Sequence, residues 1–216
     1  MRKLYIETLV RTEVETLWQA TQDPVTHASW DLRFTRISPH GSDGGLPRFR
    51  YATRVLPLVW MTGDGVHAAE RHRPDGTRTS VLRFRPDSRL SPLGRGSGYW
   101  RYIPTAGGIR FFTGYDYEPA WGRAADLVLR PLIGWATAWS FDRLRLWLER
   151  GLTPRLTLGV AVTEVFLRLA LVVLAFMSAP PGWAAVAALA VLVAPPSPLT
   201  PAARRCTRRP PERIRP

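Results

Sequence analysis

An alternation of apolar and polar residues runs from Asp31 to Glu118, and it constrains the fold more than any other feature. Neighbouring residues of a strand point to opposite faces of a sheet. The alternation therefore predicts an antiparallel sheet of about six strands, separated by turn-forming stretches at 41–45, 74–76 and 106–108. One face is apolar, and the other carries arginines: Arg48, Arg50, Arg54, Arg83, Arg85, Arg101 and Arg110.

Shorter elements precede this sheet. Lys3–Val10 alternates and reads as a strand. Thr12 and Glu15 have the spacing of a capping box, which predicts the start of a short helix. Asp23-Pro24 predicts a second short helix, with proline at its first position, that ends near Trp30.

A long helix is predicted after the sheet, from about Arg123 to Arg150. Its apolar residues recur at helical spacing. Pro131 kinks it or marks a restart, and Gly151 suits its C-terminal cap. The fold class is therefore α+β: a strand, two short helices, an antiparallel sheet and a long helix.

Particular residues within this order resemble the START-like superfamily, also called SRPBCC, which includes polyketide cyclase/dehydrase proteins. They are Val14–Trp18, Gln22–Pro24, Ser29–Asp31, Gly98–Tyr102 and Phe111–Tyr117. The resemblance covers about residues 1–150. It implies a helix-grip fold, in which a curved sheet wraps a long C-terminal helix and leaves a hydrophobic ligand cavity between them.

Eight aromatic residues are candidates to line that cavity. They are Phe49, Tyr51, Phe84, Trp100, Tyr102, Phe111, Tyr115 and Tyr117. Some or all of them could instead pack on the long helix as ordinary core. The tyrosine and tryptophan polar groups need partners when buried, and a mixed aromatic pocket of this kind suits an amphipathic ligand.

The C-terminal part is strongly apolar. Leu156–Ala179 is long enough to cross a bilayer core of about 30 Å. Pro180–Gly182 interrupts it, and Trp183–Ala194 is short for a second crossing and could also lie re-entrant or interfacial. Six arginines follow: Arg204, Arg205, Arg208, Arg209, Arg213 and Arg215.

These features predict three parts: a ligand-binding domain (1–151), a membrane-embedded helical hairpin (152–199) and an arginine-rich tail (200–216). Arginine clusters stay on the cytoplasmic side, and the N-terminus does not read as a signal peptide. We therefore expect the domain and the tail to face the cytoplasm. Packing of the apolar segment as a buried soluble hairpin is the alternative. Glu164 and Arg168, one helical turn apart, are expected to pair.

The sequence offers little for catalysis. Its four histidines have no metal-ligand spacing, so no metal is expected, and no cofactor motif is present. Because His67 and His72 are five residues apart, they should point to opposite faces of one strand. The single cysteine, Cys206, excludes an intramolecular disulfide. The glycine-rich stretch 94–98 is expected to be a loop. Asp116 is expected on the arginine face, and Glu70 and Asp31 are acid–base candidates without further support.

The leading functional hypothesis is a membrane-anchored module that binds a hydrophobic or amphipathic small molecule, such as a lipid or a polyketide. The alternatives are a cyclase or dehydratase enzyme and a membrane-associated interaction protein without a ligand. The arginine face is expected to be a solvated surface or to contact anionic lipid headgroups. Nucleic-acid binding is not expected, because no stacking platform is exposed.

Overall fold

The computed structural model describes residues 3–88 and 90–210. In these residues, seven strands form one antiparallel sheet in the order β1-β7-β6-β5-β4-β3-β2. The strands are β1 (Leu4–Val10), β2 (Arg36–Asp43), β3 (Leu46–Leu56), β4 (Val59–His72), β5 (Arg78–Pro86), β6 (Leu93–Thr105) and β7 (Gly108–Pro119). The helices are α1 (Val14–Gln22), α2 (Pro24–Trp30), α3 (Gly122–Arg150), α4 (Pro154–Ser178) and α5 (Pro181–Val193). The predicted α+β order of elements is confirmed.

The two short helices begin differently from each other. The capping box predicted at Thr12 is wrong: α1 starts at Val14, its N-cap residue Glu13 makes no side-chain cap bond, and Glu15 lies 2.7 Å from Arg78 instead. The start of α2 is as predicted, because the Asp23 carboxylate accepts a hydrogen bond from the backbone N–H of the third helical residue at 2.8 Å. The partner that Glu15 finds is distant in sequence, so local spacing could not reveal it.

Helix α3 closes one side of the sheet. It packs against β1 and β7; Pro131 lies inside it, and Gly151, in the left-handed region with φ 67°, forms its C-cap. The core beneath it contains Phe111, stacked on Phe141 with ring centroids 4.5 Å apart. Because α3 lies at the β1–β7 end, the concave face of β3–β5 extends beyond it.

The described part of the predicted tail packs on the domain. We call Thr200–Thr207 the docking segment. Its Thr207 exchanges two backbone hydrogen bonds with Glu7 of β1, at 2.8 and 2.9 Å, and Ala203 and Cys206 belong to the hydrophobic core. Arg213 and Arg215 of the predicted tail lie outside the described residues. The docking segment therefore ties the end of the apolar helices back to the domain that precedes them.

A buried carboxylate anchors the docking segment. Asp142 of α3 is fully buried; it accepts a hydrogen bond from the Ala202 backbone N–H at 2.8 Å and pairs with Arg205 at 2.9 Å and with Arg145 at 2.7 Å. The Cys206 thiol donates to the Ala138 carbonyl oxygen. Burial raises the pKa of the Cys206 thiol to about 12, so this cysteine is not an accessible probe of membrane topology.

Candidate functional site

A row of alternating aromatic and glycine residues crosses the uncovered half of the concave face. Strand register places Phe49 opposite Gly65, Gly65 opposite Phe84, and Phe84 opposite Gly96. A Cβ atom on Gly65 would lie 2.1 Å from the Phe49 ring, and one on Gly96 would lie 2.2 Å from the Phe84 ring. The rings therefore lie flat over the neighbouring strands and form an apolar floor. The stretch 94–98, expected as a loop, belongs to β6 because these glycines admit the rings.

An irregularity in β4 changes which side chains face this floor. The register with β5 shifts between His67 and Ala69. A β-bulge adds one residue and reverses the alternation beyond it. His67 and His72 consequently share the concave face, and the prediction that they point to opposite faces is wrong. The same bulge brings Glu70 to the concave side, opposite Ser80.

A cavity of about 420 Å³ lies where the floor meets the C-terminal end of α1 and the start of α2. Its polar lining includes Gln22, His67, Glu70 and Ser80, and its apolar lining includes Phe49. The His67 ring lies 5.1 Å from the Phe49 ring. Burial lowers the pKa of His67 below its ordinary value, against the opposing effect of Glu70. His67 is therefore neutral near pH 7 and able to accept a proton.

Gln22 connects this cavity to the buried core, and sequence reasoning gave it no role. Its side-chain amide donates to the Tyr102 hydroxyl at 3.0 Å, and its carbonyl oxygen accepts from Ser80 at 3.2 Å. The Tyr102 hydroxyl also lies 2.6 Å from the Thr21 hydroxyl. The sequence marked Gln22 only as part of the stretch Gln22–Pro24 that carries the family resemblance, and it gave the side chain no contact.

The eight predicted cavity residues separate into two groups. Phe49 lines the cavity, and Tyr51 and Phe84 are half-buried on the same uncovered face. The five residues of the late strands pack in the core: Trp100, Tyr102, Phe111, Tyr115 and Tyr117. The cavity therefore contains one of the eight predicted ligand-binding residues, Phe49. Its other lining residues were predicted for other roles or for none.

The hydroxyl groups of the three core tyrosines have partners within the protein. The Tyr115 hydroxyl lies 2.9 Å from the Thr137 hydroxyl, and the Tyr117 hydroxyl donates to Asp126 at 2.7 Å. Burial raises the pKa of Tyr102 above its ordinary value, against the opposing effect of its hydrogen bonds with Thr21 and Gln22. These hydroxyls are therefore neutral and satisfied without a ligand.

A buried charged cluster lies behind the cavity. His27 packs against the rings of Trp30, Phe34 and Trp100, and its Nε2 lies 3.1 Å from Asp31. Burial lowers the pKa of His27, although Asp31 opposes this effect. Burial would raise the pKa of Asp31, but Arg33, bound through two hydrogen bonds, holds that pKa well below its ordinary value. The Asp31 carboxylate is thus bound to Arg33 and His27.

This cluster predicts that the domain loses stability in mild acid. Because the folded protein lowers the pKa of His27, it binds a proton there less readily than the unfolded chain, whose histidine has the ordinary pKa of 6.5. The contribution of His27 is therefore complete above pH 6.5 and is lost as the pH falls below it. We expect the free energy of unfolding to decrease from pH 7 to pH 5 and His27→Gln to reduce that slope. His67 contributes in the same direction, so some slope should remain.

The measurement is chemical unfolding in detergent at several pH values. The exposed His40, changed to Gln, is the matched control. An equal pH slope in the wild type and His27→Gln would contradict the prediction.

The opposite face of the sheet carries the predicted arginines, and several of them have acidic partners. Arg50 pairs with Asp64 at 3.5 Å and with Asp87 at 2.5 Å. Arg110 pairs with Glu7 at 2.8 Å. The basic charge of this face is therefore partly neutralised within the domain.

The two apolar helices pack on each other across the short connection at Pro180. We call α4, α5 and their connection the apolar hairpin. Among the described residues, α4 is the one helix that is long and apolar enough to cross a membrane, and its most apolar stretch is not buried in the protein. Membrane insertion of the hairpin stays a prediction.

Glu164 and Arg168 form the expected ion pair, and the structure gives the pair a role. Arg168 donates to Glu164 at 3.0 Å. It also donates to the carbonyl oxygens of Val191 at 2.6 Å and Ala194 at 2.9 Å. Glu164 accepts from the Ser197 backbone N–H at 3.1 Å. The pair therefore satisfies backbone groups that the C-terminal end of α5 leaves open.

Two solved structures share the architecture of the domain. The di-domain ARO/CYC protein StfQ from the steffimycin biosynthetic pathway aligns with a TM-score of 0.53 and 14% identity, over 68% of this chain and 50% of that chain. The domain has the helix-grip fold. Ara h 8.0201 aligns with a TM-score of 0.50 and 10% identity, over 68% of this chain and 97% of its own. At these identities the similarity establishes the fold alone.

One curated protein is similar in sequence. YndG of Bacillus subtilis (strain 168), an uncharacterized membrane protein, is 40% identical over 172 residues, which cover 77% of this chain and 64% of YndG. The chain thus matches just under two thirds of the length of that relative. No family model matches the chain.

Proposed function

We propose that this protein is a membrane-anchored helix-grip module that binds a hydrophobic or amphipathic small molecule. The observation that carries the proposal is the cavity of about 420 Å³ on the concave face, with Phe49 in its apolar lining and His67, Glu70, Ser80 and Gln22 in its polar lining. An apolar wall with a few polar groups is the common design of small-molecule sites. StfQ, which shares this fold, comes from the steffimycin biosynthetic pathway, and this supports a small-molecule ligand for the cavity.

The anchor in this proposal is the apolar hairpin. YndG, the similar protein of Bacillus subtilis, is a membrane protein, and this supports the anchor. The docking segment holds both ends of the hairpin at one domain, so both ends lie on one side of the membrane. Arg204 within this segment and Arg208 directly after it are exposed. Because basic residues next to apolar segments stay on the cytoplasmic side, we place the domain in the cytoplasm.

Substitution of Phe49 tests the ligand site. We expect Phe49→Ala to weaken binding by about tenfold or more, because a buried aromatic contact is worth roughly 1.5–3 kcal/mol. The measurement is native mass spectrometry of the detergent-purified full chain, which compares the occupancy of any co-purified small molecule. Arg83→Ala is the matched control, since Arg83 is exposed on β5 and lies next to Phe84 in the chain, so its side chain points to the other face. Equal occupancy in both variants would contradict the proposed site.

The β4 bulge favours a second candidate, an enzyme that uses His67 as a general base. A neutral imidazole in a cavity can accept a proton from a bound substrate, and Glu70 lines the same space. Turnover of a polyketide-like substrate that is lost in His67→Gln, while ligand binding persists, would favour the enzyme. Binding without turnover in the wild type would favour the carrier or sensor.

A further inference from the structure

In the apolar hairpin, small residues lie at the contact between the helices and large apolar side chains face outward, the reverse of the arrangement in a soluble protein. The small residues Ala184 and Ala188 of α5 are buried, whereas the large residues Trp183, Val186 and Leu189 are 73%, 60% and 62% exposed. In α4, most of the large side chains from Leu167 to Met177 are likewise exposed: Leu167, Leu169, Leu171, Val173, Leu174, Phe176 and Met177. Small residues at the helix contact and large ones outside are typical of helices packed in lipid.

The charged base of the hairpin limits how deep it can reach. Arg168 and Glu164 are its ionisable residues between Leu156 and Val193, and Arg168 binds the end of α5. Ten residues, Leu169–Ser178, separate this base from the tip. At about 1.5 Å per residue they span roughly 15 Å, which is about half of a hydrocarbon core of about 30 Å.

The part of α4 that precedes the ion pair packs on the domain. Thr157 of α4 is fully buried, Ala161 packs against the domain core, and the Pro154 carbonyl oxygen accepts from the buried Arg143 at 3.0 Å. A full crossing would need about 20 residues of α4 measured back from the tip. It would therefore draw the ion pair and the adjoining domain surface into hydrocarbon.

The tip itself suits hydrocarbon rather than water. Ala179-Pro180-Pro181-Gly182 contains no polar side chain, and its two prolines have no N–H group to leave unsatisfied. The backbone N–H of Ala179 donates to Ala175, and that of Ala184 donates to the Pro180 carbonyl. Backbone groups without partners are costly in a bilayer core, and this sequence minimises them.

We infer that the apolar hairpin enters one leaflet only, with its tip near the bilayer midplane and the Glu164–Arg168 pair at the headgroup level. The inference rests on the proposed membrane anchor. Lipid, and not a second copy of this chain, covers the surface of the hairpin. Large apolar side chains are exposed along both helices and at the tip, and a dimer would cover only one face of them. The exposed Arg155 and Arg204 lie on the domain side of the ion pair, where anionic headgroups would meet them.

Two glycines provide a matched pair of probe sites. Gly182 at the tip and Gly159 beside the domain both face open space, since an added Cβ would meet nothing within 4 Å. Each is changed to Cys in a Cys206→Ala background, labelled with a nitroxide and reconstituted in vesicles of equal parts phosphatidylcholine and phosphatidylglycerol. The accessibility of each label to oxygen and to a water-soluble nickel chelate is measured, together with maleimide labelling from either side. Leu174→Cys, one turn before the tip, is a second hairpin site.

One result supports the inference. We expect labels at 182 and 174 to be accessible to oxygen, protected from nickel and unreactive from both sides, while the label at 159 stays accessible to nickel. Two results overturn it. Reaction of Gly182→Cys from the far side of the bilayer would show a full crossing and leave the membrane anchor intact. Protein that stays in solution, with residue 182 reactive, would refute both the inference and the proposed anchor.

Discussion

A chain that stops after Leu199 should have a free energy of unfolding about 3–5 kcal/mol lower than that of the full chain, although it keeps the whole sheet and α3. The deletion removes the Ala202 N–H and the Arg205 guanidinium, two of the partners of the buried Asp142. Breaking a buried ion pair by removing one partner typically costs about this much. The deletion also uncovers the core surface beneath Ala203 and Cys206.

A chain that stops after Thr207 is the matched control. It retains the docking segment and both backbone hydrogen bonds to Glu7, so we expect stability close to that of the full chain. The measurement is thermal unfolding of all three chains in the same detergent. The accessibility of Cys206 to thiol reagents gives a second readout, because undocking of the segment exposes this buried thiol. Equal stability of the two truncated chains would contradict a structural role for the docking segment.

The same contacts bear on whether the domain can be separated from the hairpin. The position of Gly151 predicts that residues 1–151 form a soluble, folded unit. Such a unit would lack the docking segment and would also lose the hydrogen bond between Arg143 and Pro154. We therefore expect it to be less stable than the domain within the full chain. A fusion that joins residue 157 to residue 196 by a short linker should keep both sets of contacts.

The order of elements could be predicted because it depends on local patterns. Alternation identified the sheet, Asp23-Pro24 identified α2, and Gly151 identified the end of α3. The docking segment could not be predicted in this way, because Asp142 and Ala202 are 60 residues apart. Neither alternation nor composition indicates that an arginine-rich stretch will join a core.

The site was predicted less well than the fold, for two physical reasons. One extra residue between His67 and Ala69 reverses the alternation, and this bulge leaves no clear mark in the sequence. In addition, strand patterns identify an apolar face but not which part of it α3 covers. Phe111 and Phe49 follow the same alternation, yet α3 packs against β7, which carries Phe111, whereas β3, which carries Phe49, lies towards the other edge of the sheet.

That contrast leads to a prediction with the same substitution at two positions. Phe111 is fully buried and lies between Phe141 and Tyr102, at centroid distances of 4.5 and 5.0 Å. Phe111→Ala removes a ring with contacts on both sides and leaves a cavity, which typically costs about 3–5 kcal/mol. Phe49 rests on Gly65 and faces the open cavity on its other side. Phe49→Ala should therefore cost clearly less stability and should reduce ligand occupancy instead.

Trp100→Ala distinguishes core from cavity for the late strands as a group. Trp100 contacts the rings of His27, Trp30 and Phe111, so we expect a loss of stability similar to that of Phe111→Ala and to that of Trp139→Ala on α3. Thermal unfolding of the four variants, with ligand occupancy measured on each protein that remains folded, provides the comparison. If Trp100→Ala and Phe111→Ala stayed nearly as stable as the wild type but lost the ligand, the cavity would extend under α3. A loss of stability in Phe49→Ala equal to that in Phe111→Ala would instead mean that the β3–β5 floor is closed core.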